Sequence, residues 1–288
     1  MPNAKDIVLK PIDSTTANAL VKRLHYSGKV VNNSQLHIGV FLGPRLEGAM
    51  QFGPSLDKRK IVGLVEGTGW NEFIELNRMA FSDRLPRNSE SRAIAVAMRI
   101  LRKHAPHLKW VVTFADGAQC GDGTIYRASG FLLTGIKRND QMWALPDGFS
   151  FSRVSATETR RPCSAKIISR ASMTMQGPKG AGAQRRELEA AGLITNTGGA
   201  SMTSLVKAGA RPIPGFQLRY LYLIDPTARE RLTVPILPYG EIARRGAGMY
   251  KGKPRAGSIA SDAPATHAGK GGATPTPALS ESSSEPTG

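Results

Sequence analysis

The chain has 288 residues, 40% hydrophobic and 21% charged, which is enough apolar surface for a full core in one large domain or in a domain with an appendage. No run approaches the roughly 18 consecutive apolar residues that cross a bilayer, and the opening "MPNAKDIVLKPID" has no apolar signal core. The sequence therefore reads as cytoplasmic with no membrane partner. The net charge of +17 is concentrated between residues 160 and 250, where fourteen Lys and Arg face five Asp and Glu, so a polyanion such as nucleic acid is the first partner to consider.

Taken in chain order, "DIVLKPID" predicts a strand and "STTANALVKRLHYS" a short helix with a Ser/Thr cap and apolar positions at Ala19, Leu20 and Leu24. Two strand-like runs, "LHIGVFLG" and "RLEGAMQFG", flank the turn pair Gly43-Pro44 and predict a hairpin; "FIELNRMAFS" predicts a further strand. In "SESRAIAVAMRILRKHAP", Ile94, Ala97, Met98 and Leu101 recur at helical spacing, with Ser89 or Ser91 as cap and a proline at the end. The run "KWVVTFAD" reads as a buried strand, "GTIYRASG" as a short helix closed by Gly130, and "FLLTGIKR", "QMWALP" and the late "FQLRYLYLID" as strands.

This order gives an α/β class and four segments. Residues 1–152 form the core, 153–214 a basic insertion with a predicted short helix in "AQRRELEAAGLI", 215–250 the late strand that completes the core with a basic segment, and 251–288 a tail. The tail holds one leucine and one isoleucine, too little apolar surface to offset its ordering entropy, and is expected to be disordered. Cys120 and Cys163, far apart and alone, read as incidental reduced thiols.

Several residues stand out by type and position. Arg78 lies between Leu76 and Met79 in an apolar strand, where a guanidinium must be paired or face a cleft. Glu75, three positions earlier, points the opposite way on a regular strand, which leaves Asp116 at the end of "KWVVTFAD" as the expected partner. Structural ion pair and anion-holding arginine both remain open for Arg78. Glycines 117, 121 and 123 after Asp116 let the backbone pass close to a ligand or merely turn the chain. His25 and Tyr26 end the first helix, where imidazole suits a base or a metal ligand and the phenol suits stacking or hydrogen bonding; the plainer reading packs both rings on the sheet. Ser91 is an N-cap or a hydroxyl for a donor phosphate. His37, His104, His107 and His267 have no metal-ligand spacing and read as structural or solvated.

An arginine-bearing loop that opens a helix after the fourth strand, followed by "GTIYRASGF" after the fifth, resembles the GNAT N-acyltransferase fold. That resemblance implies a mixed, mostly antiparallel central sheet flanked by helices, fourth and fifth strands that splay apart around an acyl-CoA-like donor such as acetyl-CoA, and Tyr126 as general acid to the leaving thiolate. The loop here is "RLPRNSESRAI" in place of the glycine-rich GNAT loop; Ser91, Arg87 and Arg92 are its candidate donor-binding groups.

The segments "LHYSG", "IELNRMAF", "NSESRAI", "FADG", "GTIYRASGF" and "LRYLYLID" together resemble the Mom proteins of bacteriophages. The resemblance implies conversion of adenine to N6-carbamoylmethyladenine in double-stranded DNA, which protects phage DNA from host restriction. It implies a site made of His25, Tyr26, Arg78, Asp116 and Tyr126, and admits iron with His25, Tyr26 and Asp116 as its ligands. Arg185 and Arg186 are the candidate phosphate grip for DNA. The oligomeric state is left open, a homodimer being one option. The rival functions are an ordinary GNAT N-acetyltransferase acting on a small-molecule or protein amine, and a basic DNA-binding protein without catalysis.

Overall fold

The computed structural model describes residues 2–26, 30–118, 120–146, 150–152, 202–250 and 253–254. Arg185, Arg186, Cys163, His267, the segment "AQRRELEAAGLI" and nearly all of the tail lie outside them.

The first strand, β1 (Ile7–Pro11), pairs only with β2, and its proline takes the last position of this edge strand, where no ladder donor is needed. Helix α1 (Ser14–Leu24) is capped by Asp13 and not by a Ser or Thr: Asp13 Oδ1 accepts from the Thr16 N–H at 2.8 Å. Strands β2 (Leu36–Leu42) and β3 (Arg45–Gly53) form the expected hairpin, with Gly43 at φ 58° in the turn. Next come α2 (Lys58–Val62), β4 (Phe73–Phe81), α3 (Ser89–His104), β5 (Trp110–Asp116), α4 (Thr124–Ala128) and β6 (Leu132–Arg138). Asn88, at φ 69°, precedes α3 as its N-cap, so neither Ser89 nor Ser91 is the cap; Ser91 Oγ donates instead to the Asn88 carbonyl at 3.1 Å.

The main sheet has seven strands in the order β1-β2-β3-β4-β5-β10-β6, where β10 is the late strand Phe216–Leu223. All pairs are antiparallel except β4 with β5. The late strand is thus inserted between β5 and β6 and not added at an edge. Strands β7 (Met142–Ala144), β8 (Ser150–Ser152) and β9 (Arg211–Pro212) form a separate small sheet, so "QMWALP" leaves the main sheet and is flanked there by β8, just before the insertion, and β9, near the insertion's end. Helix α5 (Met202–Lys207) precedes β9; α6 (Gly240–Arg244) and the pair β11 (Met249–Tyr250) and β12 (Lys253–Pro254) follow the main sheet.

The apolar stripe of α3, Ala93, Ile94, Ala97, Met98 and Leu101, packs with Met50, Phe52, Leu76, Val111, Leu218 and Tyr220 from one face of the sheet. On the opposite face Ala17 and Leu20 of α1 meet Ala49. A third apolar cluster joins Phe73, Trp110, Val112 and Leu221 to Leu64, Val65 and Ala228. These clusters, with side chains alternating across each strand, hold the sheet rigid where the site lies.

Two irregularities in β4 shape that site. Gln51 pairs with Arg78 while the adjacent Phe52 pairs with Leu76, so Asn77 is an extra residue: a β-bulge. The parallel ladder to β5 then covers only Phe73, Ile74 and Glu75, after which the two strands separate. The Thr113 hydroxyl, donating to the Leu76 carbonyl at 3.2 Å, is a final link across the fork. A sheet parted in this way has backbone groups and side chains from both faces turned into one gap.

Candidate active site

The gap is a cleft of about 570 Å³, lined by His25 and Tyr26 from the end of α1, Arg78 from β4, Asp116 from the end of β5, and Cys120 and Tyr126 from the loop and helix that follow. All five residues expected at the site therefore share one cavity. The parting of β4 and β5 expected from the GNAT resemblance is the feature that creates it.

The bulge decides the pairing of Arg78. Because Gly53 pairs with Glu75 and Gln51 with Arg78, and residues 51 and 53 lie on one face of β3, the extra residue brings Glu75 and Arg78 to the same face. The expectation that they point oppositely is corrected accordingly. Burial raises the Glu75 carboxyl, opposed by hydrogen bonds from Ser55 and Asn77 and by the Arg78 cation. Burial likewise pulls the guanidinium down from its usual range, while Tyr26, Glu75 and Tyr126 act in the other direction. One N–H of Arg78 donates to the Asn77 carbonyl at 2.7 Å, which fixes the fork over the bulge. Asp116 reaches the same cavity from the next strand.

Asp116 is held by its own chain. Its Oδ1 accepts from the Ala118 N–H at 3.0 Å and its Oδ2 from the Asn139 side-chain amide at 3.2 Å, so the carboxylate stands in a defined orientation at the strand end. Cys120, four residues on, donates its thiol to the Asp116 carbonyl at 3.2 Å and is hydrogen-bonded by Tyr26. Burial pushes that thiol up, so it stays protonated at neutral pH.

Tyr126 comes from the other side of the sheet. Its ring packs at 5.5 Å from both Phe131 and Tyr220, and burial pushes its phenol up to about 12, opposed by a hydrogen bond with Thr113. The hydroxyl keeps its proton at neutral pH, as a proton donor must. Tyr26 packs its ring 4.1 Å from that of His25 and stays 42% exposed at the cleft mouth; desolvation by the cleft walls, then Cys120, raises its phenol too.

His25 is 8% exposed, and burial, aided by the Arg78 cation, lowers its imidazole to about 3. It is therefore neutral at physiological pH. The folded-state value lies below the ordinary one, so on acidification the unfolded chain takes the proton first, and stability is lost as pH falls from about 6.5 toward 3. We expect wild type to lose stability across this window relative to His25→Gln at a rate approaching about 1.4 kcal/mol per pH unit. Urea midpoints of both proteins at stepped pH check this; parallel curves would contradict it.

The glycines after Asp116 serve the protein's own packing. A Cβ at Gly117 would stand 3.0 Å from Met249 Cβ, and Gly123, at φ 78°, would place one 2.5 Å from the Tyr220 ring. Beside the two readings of these glycines, passage of a ligand or a mere turn, the structure shows close approach to the protein's own side chains at 117 and 123.

At the start of α3, the first-turn N–H groups, exposed Arg87 and half-buried Arg92 suit an anionic donor group. The left-handed turn that a glycine-rich loop would supply is made here by Asn88. Glu90 lines the cleft side, its carboxyl raised by burial and by Asp83. Among the described residues no group of three or more His, Cys, Asp and Glu side chains gathers to hold a metal ion, and nothing there supports the iron suggested by the resemblance.

Residues 6–241 match the Mom protein family. The chain belongs to the Mom family. A curated relative, the methylcarbamoylase mom of Escherichia phage Mu, is 41% identical over 133 residues, 46% of this chain and 55% of that protein, so the match spans about half of the relative's length. Among solved structures, a Bacillus subtilis acetyltransferase in complex with CoA is 12% identical with a TM-score of 0.32, covering 47% of this chain and 80% of that one. An N-acetyltransferase from Staphylococcus aureus is 10% identical with a TM-score of 0.34, covering 76% and 97%. In this Mom family member the sequence reading missed Asn77, Cys120, Gln217 and Tyr250 as cleft residues. Only Cys120 carried a usable signal, its place four residues after Asp116 in a glycine-rich loop.

Proposed function

We propose that the protein is a DNA-modifying transferase that adds a carbamoylmethyl group to the exocyclic N6 amine of adenine in double-stranded DNA. The observation that carries this reading is the meeting of Arg78, Asp116, Tyr26 and Tyr126 in the fork of β4 and β5, in a chain whose Mom relative is named a methylcarbamoylase. The net charge of +17 suits a polyanionic substrate.

The N6 lone pair is delocalised into the purine ring, so the amine needs help to react. Asp116, oriented by Ala118 and Asn139, accepts the N6 proton as the new bond to the donor carbon forms. Tyr126 gives its proton to the leaving group, and Arg78 faces the negative charge that develops between them. Neutral His25 packs behind Tyr26 and fixes its ring. An acyl-CoA-like donor would supply an activated carbon and a thiol leaving group, held by Arg87, Arg92 and Ser91 at the start of α3. Thioester acyl transfer would join nitrogen to a carbonyl carbon and give an amide, whereas the proposed product joins N6 to a methylene carbon; forming that bond requires a donor whose leaving group stands on the methylene, and Asp116 and Tyr126 are assigned only the proton lost from N6 and the proton given to that leaving group.

A base inside a duplex reaches such a cleft only when flipped out of the stack. Mass spectrometry of nucleosides from plasmid DNA of cells expressing the protein tests the reading. We expect a new deoxyadenosine derivative carrying the carbamoylmethyl mass, absent with Tyr126→Phe. Unmodified DNA together with an acetylated protein or small amine would overturn it in favour of an ordinary N-acetyltransferase.

A further inference from the structure

Beyond the reacting groups, the cleft has a mouth whose composition points to how the base is recognised. Helix α6 and the segment after it return to the main sheet on three buried apolar anchors, Ile242, Ala247 and Met249, each 3% exposed or less. Ala247 is tied by its N–H to the Ile242 carbonyl at 2.8 Å. Met249 sits against Gly117, the residue directly after Asp116, where any side chain would crowd it. The next residue, Tyr250, lines the cleft yet keeps 52% of its surface exposed. An aromatic ring delivered to a polar cleft by a firmly anchored segment, and left open to solvent, has the form of a stacking platform. Tyr26, 42% exposed, is the other exposed aromatic side chain lining that cleft.

A second observation concerns polarity. Gln217 of β10 pairs directly with Asp116, so the two side chains leave the sheet on the same face, and both line the cleft. Gln217 is exposed. A glutamine amide presents one donor and one acceptor side by side, the complement of the amine and ring nitrogen on an adenine edge. Beside a carboxylate that accepts from N6, it distinguishes adenine from bases that carry a carbonyl at the corresponding position.

We propose that Tyr250 is the stacking wall for an extruded purine and that Gln217 reads its edge as adenine, so that these two positioning residues select the base Asp116 acts upon. This rests on the transferase reading for the identity of the reaction, but base recognition itself can be measured without turnover.

The test uses the full chain and short single-stranded oligonucleotides that carry either one adenine or thymine at the same position, with affinity read by fluorescence anisotropy. Wild type is expected to bind the adenine oligonucleotide more tightly. Tyr250→Ala should weaken binding of both oligonucleotides by about tenfold, the scale of one base–aromatic stack, and Tyr250→Phe should restore it, since the ring and not the hydroxyl is required. Gln217→Ala should lower the affinity for the adenine oligonucleotide to that for the thymine one, whose affinity stays at the wild-type value. In the modification assay, Tyr250→Ala should raise the KM for DNA more than it lowers kcat. Equal binding of both oligonucleotides by wild type, or wild-type affinity and KM in Tyr250→Ala, would overturn the proposal. A wild type that prefers adenine but leaves DNA unmodified would support it while removing the transferase reading.

Discussion

Exchanging Asp116 for Asn should lower adenine modification by about 100- to 10,000-fold, the range a positioned general base contributes, with little change in melting temperature. The substitution keeps the side-chain oxygen that accepts from the Ala118 N–H at 3.0 Å, so the loop leading to Cys120 and α4 remains anchored. The second contact, from the Asn139 amide at 3.2 Å, meets a donor in place of an acceptor, and turning over the Asn139 amide to restore it gives up the bond its Oδ1 accepts from the Gln141 N–H at 3.2 Å, so one hydrogen bond is lost. The stability cost of that adjustment is on the order of 1 kcal/mol. What is lost is the capacity to take a proton from N6. Asp116→Ala makes a poorer test, because it also removes the acceptor for Ala118 and loosens the cleft wall. The check is the modified-to-unmodified deoxyadenosine ratio under single-turnover conditions, alongside thermal unfolding of both proteins. An Asn variant that modifies DNA at the wild-type rate would remove Asp116 from the chemistry and leave it an anchor for the loop.

How much of this was legible beforehand depends on which physical effect placed each residue. The α3 stripe and the hairpin at Gly43 follow from periodicity and turn chemistry, which are local, and both appear where expected. The position of Arg78 relative to Glu75 depends on one extra residue in β4. Nothing local in "IELNRMAF" announces that bulge, because its cause is the register with β3 and the fork with β5. The same limit hid Tyr250, whose place at the cleft is set by Met249 packing on Gly117, a contact between residues 132 positions apart. Helix starts failed for a different reason. In both α1 and α3 several capping residues adjoin, and the backbone selected Asp13 and a left-handed Asn88 over the neighbouring serines. Asp116 was legible because it ends an apolar strand, where a carboxylate calls for a partner or a cleft; Tyr126, in the middle of α4, was legible only through the resemblance of "GTIYRASGF" to the GNAT segment.

Gly123→Ala is expected to destabilise the fold by about 3–5 kcal/mol, a large part of what a domain of this size has in reserve. Two effects add. The residue has φ 78°, a conformation that costs an L side chain roughly 1–2 kcal/mol. The new Cβ would also stand 2.5 Å from Cε2 of Tyr220 and 3.1 Å from Ala115 Cβ, so the tyrosine ring must move. That ring is fully buried and its hydroxyl donates to the Asp122 carbonyl at 2.6 Å; displacing it strands a buried donor at a cost of about 1–3 kcal/mol. For a chain of this length the melting temperature should fall by roughly 6–15 °C. The ring of Tyr126 packs on Tyr220, so the displacement reaches the proposed acid as well, and modification should drop even where the variant remains folded. Gly63→Ala, at φ −72° and with nothing within 4 Å of the added Cβ, should leave the melting temperature within a few degrees and serves as the control. Calorimetry of the two variants decides the matter: if Gly123→Ala melts with wild type, the close approach of Tyr220 to this turn is not what makes glycine necessary.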